Sequence, residues 1–324
     1  MPAVSTPRDR HSPFSEMLEV FFNAKTLSPK SRKDYGRYLR QFDAFTGHVS
    51  LEEALTLDNA AQWIDSIRPR GLHAAHNAAL CAKSLATWVA KTRYIVIPGG
   101  GSILTGLEAP KTPASHRQAF NDEQVEAILA SLDARPKRDR MRARAYIWLL
   151  LATGLRRNEA RQLTRDDLHA DAARGRAWVH VRAATSKGMK ERRVRLDPIA
   201  VVYLEEYFKS SERKAYIGPR PEFVFLTEEG HGFTENGFGT WAGRVWKDIE
   251  KATGIKGSSH FMRHTWATNY HRTSRENGLT VYDLKREGGW ADLNIPLRYT
   301  HDRPFEELLD APTAISLLQK RKVA

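Results

Sequence analysis

The second half of this 324-residue chain carries six side chains whose types and order suit nucleophilic and acid–base chemistry. They are Arg156 in ATGLRRNEA, Lys187 in TSKGMKERR, His260 and Arg263 in HFMRH, Trp290 in GGW, and Tyr299 in RYTH. Guanidinium and ammonium groups neutralise a developing anion, imidazole exchanges a proton near neutral pH, and a deprotonated phenol is a nucleophile. This combination is suited to attack on the phosphorus of a phosphodiester.

Tyr299 is the predicted nucleophile of such an attack. Because a phenol has a pKa of roughly 10, it needs a base to take its proton at neutral pH, and His260 is the predicted base. Negative charge gathers on the non-bridging oxygens during attack, and guanidinium groups neutralise it with bidentate hydrogen bonds. Arg156 and Arg263 are predicted to do so.

Two further groups complete the predicted reaction. The departing 5′ oxygen needs a proton, and Lys187, with its pKa lowered by nearby arginines, is the predicted general acid. An indole N–H donates and cannot accept, so Trp290 is predicted to hold one non-bridging oxygen. Glu159 and His264 are predicted to support the site, Glu159 by orienting Arg156 and His264 by packing.

Each of these residues also has an ordinary structural interpretation. Arg156 and Glu159 could form an exposed i, i+3 ion pair, and a lysine in a hairpin turn is usually only solvated. His260 and Trp290 could be core residues, and Tyr299 is one of ten tyrosines. Taken singly, the structural interpretation is favoured; the joint order of the six residues favours a functional site.

In their order and neighbourhoods, the six residues resemble the Arg…Lys…His-x-x-Arg…His/Trp…Tyr constellation of the tyrosine recombinases, the phage integrases and their relatives. The resemblance extends from about Arg117 to the carboxyl end. It implies transesterification through a 3′-phosphotyrosyl link, on double-stranded DNA with specific recombination sites, without metal, ATP or other cofactor. Trp290 stands where many members have histidine, as in the Cre-like recombinases.

The resemblance also implies an assembly and a biological role. We expect a monomer in solution and a homotetramer on synapsed DNA, with accessory DNA-bending factors as candidate further partners. The predicted role is integrase of a phage or other mobile element. A Xer-type chromosome or plasmid dimer resolvase is the alternative, although most of those carry histidine in place of Trp290. A type IB topoisomerase-like relaxase or a non-catalytic DNA-binding regulator fits the six residues less well.

Composition agrees with a nucleic-acid partner. Lysine and arginine number 51 against 38 acidic residues, a formal net charge of +13 that favours binding to a polyanion. The chain shows no signal peptide, and its longest strongly apolar run, AYIWLLLATG, is too short to cross a bilayer, so we expect a cytoplasmic, nucleoid-associated protein. The single cysteine, Cys81, lies in an apolar helical run and is predicted to be buried.

Metal and nucleotide chemistry find little support. His73 and His76 in LHAAH have helical spacing but lack neighbouring carboxylates or thiolates, so no metal site is predicted and both are expected to be exposed or DNA-facing. GGGS at 99–102 lacks the strand and helix of a phosphate-binding loop.

The predicted fold is mainly α with a small antiparallel β-sheet. Residues 1–12 are predicted to be a disordered tail, 13–97 a helical core-binding (SAM-like) DNA-binding domain of four helices, 98–118 a linker rich in Gly, Pro and Ser, and 119–324 the catalytic domain. The resemblance implies that the two domains close as a clamp on DNA. The apolar tail 312–324 is expected to dock on a neighbouring protomer, and packing on its own domain is the alternative.

Local patterns place several residues. RAWVHVR and ERRVRL alternate as two strands joined by TSKGMK, a hairpin with Lys187 near its tip. Lys190 is the rival general acid; Lys187 is preferred because it matches the lysine of the family's hairpin, and Lys190 is assigned to backbone phosphate.

Further DNA contacts are predicted in two basic segments. The run RPKRDRMRAR at 135–144, with Arg138 and Arg140, is either a solvated helix start or a phosphate contact. Base-reading residues are predicted on the first domain's helix that bears Lys30, Arg32, Lys33 and Arg37.

Overall fold

The computed structural model describes residues 11–92, 94–95, 101–112, 119–135, 137–186, 190–274 and 278–299. The chain divides between residues 115 and 116 into two compact units, each with its own hydrophobic core. The predicted linker, 98–118, spans this division. Lys187 and the tail 312–324 lie outside the described residues.

Five helices form the described part of the first unit. They are α1 (Phe14–Ala24), α2 (Pro29–Phe45), α3 (Leu51–Ala54), α4 (Leu57–Ile67) and α5 (Leu72–Lys91). Ser28 caps α2 by accepting the N–H of Ser31, and Pro29 occupies the first helical position, where its missing N–H is not needed. The four longer helices match the four predicted patterns, whereas the single turn of α3 has too few residues to show a periodicity.

Aromatic side chains fill the first core. The rings of Phe42 and Trp63 lie 4.8 Å apart, and Phe14 meets Phe42 edge to face at 5.7 Å. Cys81 is 5% exposed, and burial raises the pKa of its thiol to about 12, so it packs as a small apolar residue, as predicted. The carbonyl of Ser12, in the tail predicted to be disordered, accepts the N–H of Leu51 at 3.0 Å.

Part of the predicted linker packs on the first core. Leu104 is fully buried and Leu107 is 5% exposed. Two side chains of α5 hold the segment: Nδ1 of His76 lies 2.9 Å from the carbonyl oxygen of Pro110, and Nζ of Lys83 donates to the carbonyl of Leu107 at 2.8 Å. His76 therefore contacts backbone, which corrects its expected exposure, and residues 101–112 belong structurally to the first unit.

The second unit combines helices with one small sheet. Its helices are α6 (Asp122–Ser131), α7 (Lys137–Thr153), α8 (Arg157–Arg161), α9 (Pro198–Lys209), α10 (Glu235–Thr253), α11 (Ser259–Ser274) and α12 (Val281–Gly288). Its strands β1 (Leu168–Asp171), β2 (Arg176–Val181) and β3 (Arg192–Arg195) pair antiparallel in the order β1-β2-β3. The predicted hairpin is confirmed, with Val179 opposite Val194, whereas β1 was not predicted.

Helix α7 runs through the second core and contacts α9 and α11. Tyr146, at its centre, is fully buried, and its hydroxyl lies 2.7 Å from Oγ of Ser259, the first residue of α11. A fixed α7 therefore positions both the turn that follows it and the start of α11.

The basic run at 135–144 is partly buried, which neither prediction for it anticipated. Arg135 and Arg142 are 7% and 5% exposed, and each pairs with Asp139 at 2.6 Å. Nε1 of Trp241 in α10 donates to the same carboxylate at 2.9 Å. Arg140 donates from Nε and Nη2 to the carbonyl of Arg135 at 3.1 and 2.8 Å. These contacts join the start of α7 to α10.

Among the described residues, no helix combines the length and apolar character needed to span a membrane.

Candidate active site

A tight turn after α7 presents Arg156. Gly154 makes this turn with φ +59°, a left-handed conformation that favours glycine, and a Cβ there would lie 2.2 Å from the Trp266 ring. Arg156 then precedes α8 in an extended conformation. Glu159 Oε2 accepts its backbone N–H at 2.8 Å, and Oε1 accepts from its Nη1 at 2.9 Å. The Arg156 side chain stays 27% exposed, so it is anchored and still accessible.

Glu159 is a buried carboxylate shared by two arginines. Its side chain is 2% exposed, and Arg192 of β3 donates to it twice, from Nη2 to Oε2 at 2.7 Å and from Nη1 to Oε1 at 3.1 Å. Burial alone would raise the pKa of Glu159, but the hydrogen bonds and charges of Arg192 and Arg156 outweigh it and hold that pKa below its usual range. Glu159 is therefore ionised at neutral pH.

Arg263 is the most deeply buried of the predicted site residues in α11. It is 3% exposed, its Nη1 donates to the carbonyl of Gly154 at 2.5 Å, and its Nη2 donates to the carbonyl of Gly288. Its guanidinium carbon lies 4.5 Å from the centroid of the Trp290 ring. Arg263 thus joins the turn before Arg156 to the end of α12.

The site carries an excess of positive charge. Burial, followed by the nearby charges of Arg156 and Arg192, lowers the pKa of Arg263 to about 9, against a partial opposing effect of Glu159. Three guanidiniums thus surround one carboxylate. Such a place stabilises an incoming anion because the anion offsets the repulsion among the cations.

Trp290 and Tyr299 lie on the chain after α12. That helix ends at Gly288, and the next residue, Gly289, caps it in a left-handed conformation with φ +64°. Trp290 and Tyr299 are each 7% exposed, and their ring centroids lie 5.7 Å apart. Tyr299 ends the short 3₁₀ turn Pro296–Tyr299. The predicted nucleophile is therefore packed against the indole that Arg263 covers.

Two histidines follow one another toward Tyr299. His260 lies exposed in the first turn of α11, and its ring meets that of His264 at 4.7 Å, edge to face. The ring of His264 lies 5.2 Å from that of Tyr299. In this geometry His264 packs directly on the phenol, and His260 lies at the outer end of the row.

The structure thus brings together Arg156, His260, Arg263, Trp290 and Tyr299, with Glu159 and His264 beside them. Lys187, the predicted general acid, is outside the described residues. Lys190 is exposed next to β3, and its backbone N–H donates to Oγ of Ser186 at 2.8 Å. It lines a cleft of about 790 Å³ between the hairpin and α12.

The predicted DNA contacts of the first unit all lie on α2. Lys30, Arg32, Lys33 and Arg37 are exposed. Arg32 Nη1 donates to the carbonyl of Phe22 at 3.0 Å. The guanidinium carbon of Arg37 lies 4.7 Å from the centroid of the Tyr38 ring. In the second unit, Arg138 lies in α7, where its side chain is outside the described set, and Arg140 is held by the carbonyl at position 135.

Arg192 is the site residue that sequence reasoning missed. A signal was present: the alternation of ERRVRL puts Arg192 on the same strand face as Val194 and Leu196, and all three are buried. An arginine on a strand face that is otherwise apolar and buried needs a buried acidic partner, which here is Glu159.

Comparisons with known proteins agree with this arrangement. The sequence profile of the phage integrase family matches residues 118–305. Tyrosine recombinase XerD of Listeria monocytogenes serotype 4b (strain F2365) is 30% identical over 296 residues, which cover 88% of this chain and 92% of that protein. Tyrosine recombinase XerA of Thermococcus kodakarensis is 25% identical over 309 residues, 94% of this chain and 96% of that one.

Two solved structures share the fold. The Tn1549 transposon integrase in complex with transposon right end DNA superposes with a TM-score of 0.69 at 18% identity, covering 92% of this chain and 98% of that one. The XerH site-specific recombinase bound to difH substrate gives 0.66 at 21% identity, covering 91% and 82%.

On the profile match and the XerD relationship, the chain belongs to the phage integrase family and is a tyrosine recombinase, an enzyme of DNA strand cleavage and rejoining. The resemblance drawn from the six residues is confirmed, and so is the mainly helical fold with its small antiparallel sheet.

Proposed function

We propose that the protein is a site-specific recombinase that uses Tyr299 to form a 3′-phosphotyrosyl link. One observation carries the proposal: the Tyr299 ring is packed on Trp290, which lies under the guanidinium of Arg263. A phosphodiester that meets both groups has its phosphorus next to a phenol and its anionic oxygens next to a cation.

The reaction is a balanced exchange of one P–O bond for another. The phenol oxygen of Tyr299 attacks phosphorus, its proton passes to His260, and the bond to the 5′ oxygen breaks as Lys187 protonates the leaving group. Arg156 and Arg263 neutralise the charge on the non-bridging oxygens, and Trp290 contributes its indole N–H. In the reverse step a 5′-hydroxyl of the partner duplex attacks the phosphorus of the link, its proton passes to Lys187, and the bond to Tyr299 breaks as His260 returns the phenol proton.

Glu159 and His264 act without touching phosphate. Glu159 fixes the backbone and the guanidinium of Arg156 through hydrogen bonds of 2.8 and 2.9 Å. His264 packs on the phenol ring and limits its orientation. His260 is the base in this scheme because its exposed ring at the start of α11 is open to substrate.

A nicked suicide substrate tests the nucleophile. After cleavage of such DNA, the short fragment with the free 5′-hydroxyl dissociates, so rejoining is impossible and the protein stays covalently trapped. Tyr299→Phe keeps the ring but loses the attacking oxygen, so it should bind DNA and give no adduct. Tyr282→Phe is the matched control, because Tyr282 is 65% exposed on α12 and should give a wild-type yield. A Tyr299→Phe protein that still becomes trapped would contradict the assignment, as would an adduct that requires a divalent metal ion.

The biological role we propose first is integrase of a phage or other mobile element, which Trp290 in place of histidine supports. The Xer-type resolvase is the second candidate, and the relatives named XerD, which align over most of both chains, favour it. Recombination assays with DNA flanking the gene separate the two roles. Joining of two different sites on separate molecules indicates an integrase, whereas exchange confined to two copies of one site on a circular dimer indicates a resolvase.

The proposal includes the partner and the assembly. Solved structures of similar fold are complexes with DNA, which supports double-stranded DNA as the partner. We propose a monomer in solution that assembles as a tetramer on synapsed sites in the cytoplasm and works without a cofactor. Light scattering coupled to size exclusion, with and without DNA sites, measures both states; a tetramer without DNA would contradict this scheme.

A further inference from the structure

Arg192 is a charged residue that the proposed reaction does not use, yet its side chain is 3% exposed. Its guanidinium makes three directed contacts. Nη2 and Nη1 donate to the two oxygens of Glu159 at 2.7 and 3.1 Å, and Nε donates to the backbone carbonyl of Glu287 at 2.8 Å. A planar group held at three points cannot turn without breaking hydrogen bonds in a buried place.

The first contact reaches Arg156. Each oxygen of Glu159 is shared: Oε1 accepts from Nη1 of both arginines, and Oε2 accepts from the Arg156 N–H and from Arg192 Nη2. The direction in which the carboxylate points is therefore set by Arg192 on one side and passed to Arg156 on the other. Without the Arg192 fork, Glu159 can rotate and Arg156 loses its fixed orientation.

The other contact reaches Trp290. The carbonyls of Glu287 and Gly288 are at the end of α12, where helix carbonyls lack intrahelical partners and the helix dipole is negative. Arg192 caps the first and Arg263 the second. Gly289, which follows, has so little room that a Cβ there would lie 3.0 Å from Cδ and Nη1 of Arg192. The position of the loop bearing Trp290 thus depends on where Arg192 lies.

We propose that Arg192 is a positioning residue for strand cleavage. It fixes the separation between Arg156, reached through Glu159, and Trp290, reached through the end of α12, so that both meet the same phosphate. This inference rests on the proposed phosphotyrosine chemistry. Loss of Arg192 should therefore impair neutralisation of the phosphate charge by the groups that it positions, and should change neither DNA affinity nor protonation of the leaving group.

Arg192→Lys tests the assignment, with Arg193→Lys as the control. The ammonium keeps the charge but cannot reach both oxygens of Glu159 and the Glu287 carbonyl together. Arg193 lies next in the same strand with an exposed side chain, so the same change there should leave the rate unaltered. For Arg192→Lys we expect single-turnover cleavage to slow on the order of 100-fold, as for a small displacement of a catalytic group. Half-site affinity should stay within about twofold, because contacts to phosphate position the protein and this residue makes none.

Modified scissile phosphates separate positioning from a general structural defect. A methylphosphonate replaces one charged oxygen by methyl, so its cleavage needs less neutralisation by guanidinium groups. The ratio of the wild-type cleavage rate to that of Arg192→Lys should therefore be smaller on this substrate. A 5′-bridging phosphorothiolate has a leaving group that needs no acid, so the ratio found on the phosphodiester should persist on it. An inactive fraction in a preparation lowers cleavage of the phosphodiester, the methylphosphonate and the phosphorothiolate by the same factor. It therefore produces no difference among the three substrates.

Gly289→Ala provides a second route to the same defect, because its Cβ would lie 3.0 Å from Cδ and Nη1 of Arg192 and would displace that side chain. It should show the same substrate pattern. Wild-type cleavage by Arg192→Lys, or an equal loss on phosphodiester and methylphosphonate, would overturn the inference. Equal cleavage rates of Arg192→Lys and wild type on the phosphorothiolate would overturn it too, because they would show that the substitution impairs the general acid. If wild-type protein forms no adduct on any substrate, the failure lies in the proposed function instead.

Discussion

Replacing Glu159 by glutamine should destabilise the second unit strongly at neutral pH and weakly in acid. The carboxylate is 2% exposed and accepts four hydrogen bonds from Arg156 and Arg192. Glutamine offers one oxygen and turns an NH₂ group toward guanidinium donors, which leaves Arg192 buried without a counter-charge. Breaking one partner of a buried ion pair costs about 3–5 kcal/mol, and we expect a loss in that range.

The pH dependence follows from the direction of the pKa shift. The pKa of Glu159 is held below its usual range once the two arginines outweigh the effect of burial. A depressed carboxylate pKa stabilises the fold fully above the pKa of the unfolded chain, about 4.3 for glutamate, and this stabilisation is lost as pH falls through the lower folded value. The difference between wild type and Glu159→Gln should therefore be largest near neutrality and shrink below about pH 4.3.

Denaturant unfolding followed by tryptophan fluorescence measures this difference. Six of the eight tryptophans lie in the second unit, so the signal reports mainly on it. Glu126→Gln is the control, because Glu126 is exposed on α6 and the same change there should stay within about 0.5 kcal/mol. A loss under about 1 kcal/mol at neutral pH, or an equal loss in acid, would refute the described network.

Three other tests have distinct expected outcomes. Gly154→Ala and Gly175→Ala each place alanine in a left-handed conformation, which costs roughly 1–2 kcal/mol of unfolding free energy. Only at Gly154 would the new Cβ also lie 2.2 Å from an indole, so Gly154→Ala should lose about 1–3 kcal/mol more than Gly175→Ala. Equal losses would argue against that packing. Lys187→Ala should regain cleavage on a 5′-bridging phosphorothiolate and Lys190→Ala should not; the reverse pattern would make Lys190 the general acid. Deletion of residues 312–324 should preserve half-site binding and abolish synapsis, whereas parallel loss of thermal stability and half-site binding would indicate that the tail packs on its own domain.

Local patterns carried much of the fold. Hydrophobic periodicity located the four long helices of the first unit, and strict alternation in RAWVHVR and ERRVRL located the hairpin, because these signals depend only on neighbouring residues. The long helices Pro198–Lys209 and Glu235–Thr253 of the second unit were not predicted. The strand Leu168–Asp171 was missed since four residues without alternation give too little signal. The helical turn Leu51–Ala54 was missed for the same reason, although Ser50 and Glu53 form its capping box.

Long-range pairing set the limit of sequence reasoning. The basic run at 135–144 predicts solvent or DNA contact, but Asp139 within it neutralises two arginines and binds Trp241, which lies 102 residues away. Arg192 illustrates the same limit within the candidate site, since its partner Glu159 is 33 residues upstream. The order of residue types along the chain identified the side chains that could act on phosphate. The residue that holds them in place, Arg192, was identified only from its contacts in the folded structure.

Identification of the residue that carries DNA tests the assignment of Tyr299 as the nucleophile most directly. Wild-type protein trapped on a nicked suicide substrate would be digested with nuclease and protease, and the modified peptide sequenced by mass spectrometry. We expect a nucleotide joined through its 3′ phosphate to the oxygen of Tyr299. A link to another residue, or a link through a 5′ phosphate, would contradict that assignment.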